Sequence, residues 1–295
     1  MSKGRQPIML VACGRRATGK TVETIKTLYS YCLGSANNKP RKVLIFDVNN
    51  EFSNFDYFGQ RHEIQTIRLS EVSKFTHPTY PVEIRRILPY KDGGKRMTTD
   101  EMVNALSYIL SEYRNGCLLI EDINKYISDN TPADVIGAIA TLRHQSVDTI
   151  IHYQNIGRVG NPKILGNTNV IRLHKTNDSA KRHKNKFEDK EPLISVAQKI
   201  VDARFENGMK NNINDETGKY FHLYINLEFG NIRGKFTKSE AELAVADYIA
   251  ENYQALIKPY LHKIDMKTGK ALYPTKLSAY QEVQKKMMSE FFEFD

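Results

Sequence analysis

Short apolar runs alternate with amphipathic stretches along the first 175 positions of the chain. Ile8-Met9-Leu10-Val11-Ala12-Cys13, stopped by Gly14, predicts a buried strand. From Lys20, apolar Val22, Ile25, Leu28 and Tyr29 recur at helical spacing as far as about Leu33, and Gly34-Ser35-Ala36-Asn37-Asn38-Lys39-Pro40 reads as a loop. Val43-Leu44-Ile45-Phe46 predicts a second strand ending at Asp47, residues 64–69 and 82–88 two shorter ones, and Lys91-Asp92-Gly93-Gly94-Lys95 a turn. Residues 100–113 predict a helix with Thr98 or Thr99 as its N-cap. Cys117-Leu118-Leu119-Ile120 is a third buried strand, 132–142 a helix, 147–153 a fourth strand and 170–173 a fifth.

Strands alternating with helices imply right-handed crossovers and a parallel sheet covered on both faces. The near-continuous apolar strands agree, because a central parallel strand has no solvent face to fill with polar residues. After residue 175 the texture changes. Residues 193–205 predict a helix, 220–236 a hairpin around Gly230-Asn231, and Thr237-Lys238-Ser239-Glu240 a capping box that opens a helix to about residue 260. The tail carries an aromatic cluster, Phe291-Phe292-Glu293-Phe294. The expectation is an α/β core over residues 1–178. A small C-terminal α+β extension over 179–295 (helix, hairpin, helices) is expected on or next to it.

Charge adds a partner to this picture. The 295 residues carry 43 Lys+Arg against 34 Asp+Glu, a net +9, which points to an anionic partner: nucleic acid, nucleotide or membrane surface. The excess is clustered: +8 over residues 1–42, +4 over 172–190 and +5 over 258–286, leaving −8 for the rest; the bland reading of these clusters is solvated helix faces and loops. No apolar run approaches the ~18 residues of a membrane span. The six-residue run Ile8 to Cys13 is too short for a secretory signal. Cys13, Cys32 and Cys117 are odd in number and lack zinc or disulfide spacing, which argues against a zinc finger or a disulfide scaffold.

Gly14-Arg15-Arg16-Ala17-Thr18-Gly19-Lys20-Thr21 fits G-x-x-x-x-G-K-[ST] at every fixed position, with a strand before it and a helix after it. Glycines let backbone N–H groups curl around phosphates, and the helix N-terminus adds partial positive charge. Lys20 is placed to reach the β- and γ-phosphates of ATP, and the Thr21 hydroxyl to ligate Mg²⁺. Leu118-Leu119-Ile120-Glu121-Asp122 supplies the acids such a loop needs. Glu121 at the strand tip is the candidate Mg²⁺ holder, and Asp122 the group that orients and deprotonates the attacking water. The bland alternative is an acidic pair on the surface.

Gln154 follows the fourth strand, at its tip, where a polar side chain can touch the γ-phosphate or its water, whereas His152, one residue inside the strand, reads as a packed core histidine. Arg143 lies just before that strand and Arg158 just after it; both are candidates for an arginine that stabilises transition-state charge in a neighbouring subunit. Asp47-Val48-Asn49-Asn50-Glu51-Phe52 follows the second strand at the carboxyl edge, where ligands of open α/β sheets bind. Glu51 there is a candidate for holding the attacking water or, equally, for stabilising the turn.

Together these pieces resemble the FtsK–HerA superfamily of DNA-pumping ATPases, which includes viral genome-packaging ATPases, over roughly residues 5–178. The carriers are the loop at 14–21, the stretch 47–52, the strand tip at 118–122 and Arg143-His144-Gln145-Ser146-Val147-Asp148-Thr149-Ile150-Ile151-His152-Tyr153-Gln154. The resemblance implies a RecA-like P-loop NTPase core, a trans-acting role for Arg143, a γ-phosphate sensor at Gln154 and the base at Asp122. The family usually shows Asp then Glu at this tip, and this chain shows Glu121 then Asp122. The roles therefore stay open among Glu121, Asp122 and Glu51, as does the choice between Arg143 and Arg158.

Relatives form hexameric or pentameric rings that thread double-stranded DNA. The implied function is a ring-forming, Mg²⁺- and ATP-dependent motor that packages a viral genome. It would work in the cytoplasm of an infected bacterial host or at the virion packaging vertex, against a portal or vertex protein. The sequence leaves two alternatives. One is a nucleotide-dependent assembly or partition protein without DNA pumping. The other is a small-molecule P-loop kinase, which would want an arginine-rich lid where residues 181–190 carry mostly lysine.

Overall fold

The computed structural model describes residues 6–36, 38–57, 60–127, 133–159, 162–211 and 216–294; Lys3 and Arg5 of the basic N-terminus, Asn37 of the expected loop and Pro132 of the expected helix lie outside them. The chain divides into two compact units, Met1–Asp178 and Ser179–Asp295.

The first unit contains strands β1 (Met9–Cys13), β2 (Lys42–Phe46), β3 (Asn54–Tyr57), β4 (Gln60–Glu63), β5 (Ile84–Ile87), β6 (Gly116–Ile120), β7 (Asp148–Tyr153) and β8 (Val170–His174). Its helices are α1 (Lys20–Leu33), α2 (Val72–Thr76), α3 (Thr99–Glu112), α4 (Ala133–Thr141), α5 (Ile156–Val159) and α6 (Pro162–Leu165). Within this unit the large sheet runs β8-β1-β7-β6-β2-β5, with every neighbouring pair parallel. This is the α/β class read from the sequence, a mostly parallel sheet flanked by helices. Strands β1, β2, β6 and β7 are buried along their whole length, the reason their sequences are apolar at successive positions.

Register places the candidate site residues. Cys13 pairs with Tyr153, Ile120 with Ile151 and Phe46 with Ile120. Because the strands are parallel and end within two residues of one another in register, Gly14, Asp47, Glu121 and Gln154 leave the sheet at the same edge. The strand that Gln154 follows lies between the strand of the glycine-rich loop and the strand of the two acids.

Several local expectations change. Residues 64–69 are no strand: only the bridge Thr66 to Arg86 forms, and Leu69–Glu71 is a 3-10 turn. Ile64 and Ile67 are the buried positions, a spacing of three that does not suit a pleat. In α1 the buried face takes Thr24 and Leu28, while Val22 is 60 % exposed. The helix at 99–112 is capped by Thr98, whose hydroxyl accepts from Glu101 N–H while the Glu101 carboxylate accepts from Thr98 N–H.

The second unit contains α7 (Lys184–Phe187), α8 (Glu191–Asn211), α9 (Glu216–Lys219), β9 (His222–Asn226), β10 (Asn231–Arg233), α10 (Lys238–Glu251), α11 (Tyr253–Leu256), α12 (Lys258–Leu261) and α13 (Lys276–Phe291). The hairpin pairs Asn226 with Asn231, so the turn is 227–230 and Asn231 belongs to the strand. The capping box at Thr237 forms, but its helix stops at Glu251, nine residues short of expectation. Asn252 bends its amide back onto the Tyr248 carbonyl, and Pro259 has no N–H to continue a longer helix. Phe292 packs against Phe236 and Phe294 at ring separations of 5.5 and 5.7 Å, closing the tail onto its own unit. Among the described residues no helix is long and apolar enough to cross a membrane.

Candidate functional site

The loop between β1 and α1 has the conformation its sequence requires. Gly19 sits at φ 82° and caps α1, a left-handed conformation that glycine adopts without steric cost. Ala17 shares the left-handed region at φ 61°. A Cβ at Gly14 would lie 2.6 Å from Cβ of His174, so the loop can leave β1 here only on glycine. Thr18 closes the loop internally, its hydroxyl donating to the Arg15 carbonyl at 2.9 Å. Lys20 turns its ammonium into the loop and donates to the Gly14 and Arg15 carbonyls. Burial lowers the Lys20 pKa; opposing it are the buried Cys13 thiol beside it and the charges of Asp122, Glu51 and Glu121. Arg16 is exposed and Arg15 half-buried.

Four acids gather at this edge in different environments. Asp47 is fully buried and committed to its own loop: it accepts from Glu51 N–H at 2.9 Å, from Phe52 N–H at 3.1 Å and from Arg86 Nη1 at 3.0 Å. Glu51 is exposed and accepts the Thr21 hydroxyl at 3.2 Å. Glu121 is buried and accepts from Asn49 twice, N–H to Oε2 at 2.9 Å and Nδ2 to Oε1 at 2.7 Å. Asp122, in the left-handed region at φ 43°, accepts from Gln154 Nε2 at 3.0 and 2.8 Å and from Asn49 Nδ2 at 3.2 Å, with Lys125 3.6 Å away. Burial pushes the Glu121 carboxyl up to about 8; the Asn49 bonds pull the other way, and Glu51 and Asp47 add to the rise.

The candidates thus fall into three contacts: Thr21 with Glu51, Glu121 with Asn49, and Asp122 with Gln154. The Thr21 hydroxyl meets Glu51 rather than Glu121, which was singled out beside it as a metal ligand. Among the described residues no three or more His, Cys, Asp or Glu side chains converge as a metal cage. The donors at this edge are a hydroxyl and carboxylates, the hard oxygens Mg²⁺ prefers. That ion usually takes one or two carboxylates together with substrate phosphates, so the residues present fit it.

Arg143 lies apart from these groups. It is exposed on the 3-10 turn Leu142–Gln145, ahead of the first residue of β7. The six-residue β7 separates it from Gln154 by roughly 20 Å along the sheet. Arg158 is exposed on α5, just beyond Gln154. His152 is a core histidine as expected: buried, 2.8 Å from Thr24 Oγ1, its pKa held well below the usual range by burial and, after that, by Arg172 and Lys20.

Sequence reasoning missed Asn49 and Lys125 as site residues. A neutral amide or a lysine in a polar turn has no distinctive neighbours in the sequence, and only their adjacency to the two strand ends could have flagged them. It also misread Arg172. Counted with the solvent-facing charge of 172–190, that residue is fully buried.

No family model matches the chain, and no curated protein matches it. Among solved structures it is similar to the genome packaging NTPase B204 from Sulfolobus turreted icosahedral virus 2 in complex with AMP. The identity is 15 % over 77 % of this chain and 96 % of that one, at a TM-score of 0.45. It is also similar to the N-terminal domain of zonular occludens toxin from Neisseria meningitidis (13 % identity, 59 % of this chain and 79 % of that one, TM-score 0.32). A third is the Aeropyrum pernix ORC1 protein in complex with DNA (12 % identity, 99 % and 75 %, TM-score 0.30). At these TM-scores the likeness is loose, and the fold assignment rests on the strand order and the loop between β1 and α1.

Proposed function

We propose that this chain is a Mg²⁺-dependent ATP hydrolase that assembles into a ring and translocates double-stranded DNA, packaging a viral genome. The observation that carries the reading is the set of groups at one sheet edge. Thr21 of the loop is bonded to Glu51, the three acids Glu51, Glu121 and Asp122 act on Lys20 through their charges, and Gln154 is bonded to Asp122.

The loop amides, the N-terminus of α1 and Lys20 bind and orient the β- and γ-phosphates. Thr21, with Glu51 or Glu121, would hold Mg²⁺, which supplies charge neutralisation on the phosphates when bound. Glu121, its carboxyl raised by burial to about 8, holds its own proton at neutral pH in the metal-free chain and can accept one from the attacking water once it is ionised. Asp122, held by Gln154, Asn49 and Lys125, orients rather than accepts. Exposed Arg143, a strand's length from its own subunit's site, is available to a neighbour's site in a ring.

The DNA contact is assigned to the basic stretch 258–286. Lys258, Lys263, Lys267, Lys270, Lys276, Lys285 and Lys286 are all exposed there. Residues 263–272 form a short closed excursion: Ile264 bridges Ala271, and Asp265 N–H donates to the Lys270 carbonyl at 2.8 Å. Such a machine would work in the cytoplasm of an infected bacterial host or at the packaging vertex, against a portal or vertex protein.

The test is ATP hydrolysis with and without duplex DNA. DNA should stimulate it, and Lys20→Ala should abolish it; equal rates in both conditions count against the motor. Mixing inactive Arg143→Ala chains into wild type should inhibit more than dilution does, and loss that merely tracks dilution rejects the ring assignment of Arg143.

A further inference from the structure

The basic residue that opens the 172–190 cluster faces the helix of the phosphate loop. Arg172 on β8 pairs in register with Ala12 of β1 and is fully buried. Its Nη2 donates to the Thr24 hydroxyl and, at 3.4 Å, to the Lys20 carbonyl, while Nη1 reaches Thr27 Oγ1 at 3.4 Å. The Lys20 carbonyl belongs to the first turn of α1, the turn that carries both Lys20 and Thr21. Two positions along the same face of β8, His174 Nδ1 lies 2.8 Å from the Thr18 carbonyl. The segment from Thr18 to Thr24 is therefore held from beneath at both ends by side chains of one strand.

Donor chemistry orients a further contact. Arginine can only donate, so Thr24 accepts from Nη2, and the same hydroxyl is hydrogen-bonded to His152 Nε2, 2.8 Å away. One hydroxyl thereby ties β8 and β7, the strand that Gln154 follows, to the helix that presents Lys20.

We propose that Arg172 is a positioning residue for the polyphosphate. Its fork fixes the first turn of α1, and through it Lys20 and Thr21, in the arrangement that β- and γ-phosphates require. The inference rests on the nucleotide reading above. A lysine at 172 would keep the charge but, as a point donor, could not span the Lys20 carbonyl, Thr24 and Thr27 together.

The full chain is titrated calorimetrically with ATP and with AMP in Mg²⁺, as wild type, Arg172→Met, Arg172→Lys and Thr24→Val, each checked by thermal melting. ATP engages Lys20 and Thr21 through phosphates that AMP lacks. Arg172→Met is expected to weaken ATP about tenfold or more, the scale of removing a charge-assisted hydrogen bond, and to leave AMP nearly unchanged. Arg172→Lys falls between. Thr24→Val keeps the arginine and the side-chain shape; it is expected to weaken ATP in the same sense and to shift the His152 ring-nitrogen resonances, because Nε2 loses its hydroxyl partner.

If Arg172→Met fails to fold, Thr24→Val decides. Unchanged ATP affinity in the folded variants overturns the proposal. Equal losses for ATP and AMP assign Arg172 a purely structural role and overturn it too. A wild-type chain that binds no ATP overturns the nucleotide reading as well, whereas wild-type binding with indifferent variants overturns this inference alone.

Discussion

Asn49 grips Glu121 with both of its nitrogens, the main-chain N–H at 2.9 Å on Oε2 and Nδ2 at 2.7 Å on Oε1. The same Nδ2 reaches Asp122 at 3.2 Å, and the Asn49 side-chain carbonyl oxygen accepts from Lys125. A single amide from the turn after β2 thus sets the orientation of both acids at the tip of β6. Asn49→Ala keeps the main-chain bond and removes the rest. Hydrolysis should fall by roughly 10–100-fold in kcat, as when outer groups that orient a site are removed. Melting should change little, because Asn49 is only half-buried. Steady-state kinetics beside a melting curve check this; an unaltered kcat means the grip is incidental.

Glu121 also makes folding stability depend on pH. Its carboxyl rises from an ordinary 4.5 to about 8 in the folded metal-free chain, chiefly through burial. Between those values the native state holds a proton that the unfolded state has released, so stability falls as pH rises across that window. Glu121→Gln removes the dependence. In the presence of a chelator, the variant should melt close to wild type below about pH 4.5 and progressively above it by pH 8. The gap should reach about ten degrees or more, at about 1.4 kcal/mol per pKa unit and roughly 2–4 °C per kcal/mol for a chain of this order of size. A constant gap across the range would show that Glu121 does not titrate there.

What the sequence made legible, and what it hid, follows from how each signal is written. Strands β1, β2, β6 and β7 are buried on both faces, so each is a bare apolar run that announces itself. The capping boxes at Thr98 and Thr237 are local, and both form. The β3–β4 hairpin, Asn54–Tyr57 with Gln60–Glu63, is mostly polar and was invisible to hydrophobic periodicity. The phosphate loop is contiguous in sequence and was read whole. Its support is not: Arg172 meets Thr24 from 148 residues away, and Asn49 meets Glu121 from 72. Charge counting placed Arg172 on the surface because a buried cation and a solvated one look alike in a sequence.

Asp47 lies near the nucleotide edge, but its geometry assigns it to the fold. It is fully buried, bonded to two backbone N–H groups and to Arg86 at 3.0 Å. Asp47→Asn leaves the Arg86 guanidinium facing a neutral group, and breaking a buried pair by neutralising one partner costs about 3 kcal/mol or more. Urea denaturation should show the midpoint falling accordingly. A variant as stable as wild type would mean that water reaches this pair.

The exposed excursion at 263–272 makes a quantitative claim about salt. Each phosphate that a lysine neutralises on duplex DNA contributes about −0.9 to the slope of log affinity against log salt concentration. Replacing Lys263, Lys267 and Lys270 together by alanine should flatten that slope by roughly 0.9 for every phosphate left without its lysine, with basal ATP hydrolysis retained. Fluorescence anisotropy across a salt series measures it. An unchanged slope removes this segment from the DNA surface.

Gln154 and Asp122 should act as one unit. Both Asp122 oxygens accept from the same Nε2, at 3.0 and 2.8 Å, so neither side chain is oriented independently. Removing either partner frees the other: Gln154→Leu leaves Asp122 to Asn49 and Lys125, and Asp122→Ala leaves the Gln154 amide without its anchor. Each single variant should lower kcat for ATP hydrolysis with little effect on KM, because neither side chain is hydrogen-bonded to the loop proposed to bind the phosphates. The double variant should lose far less than the product of the two single losses. Contacting residues in one hydrogen-bond network typically couple by about 0.5–3 kcal/mol, a departure of roughly 2- to 150-fold from multiplicative behaviour. Losses that multiply would mean that Gln154 works on the phosphate or its water without Asp122, and that the contact between them belongs only to the nucleotide-free chain.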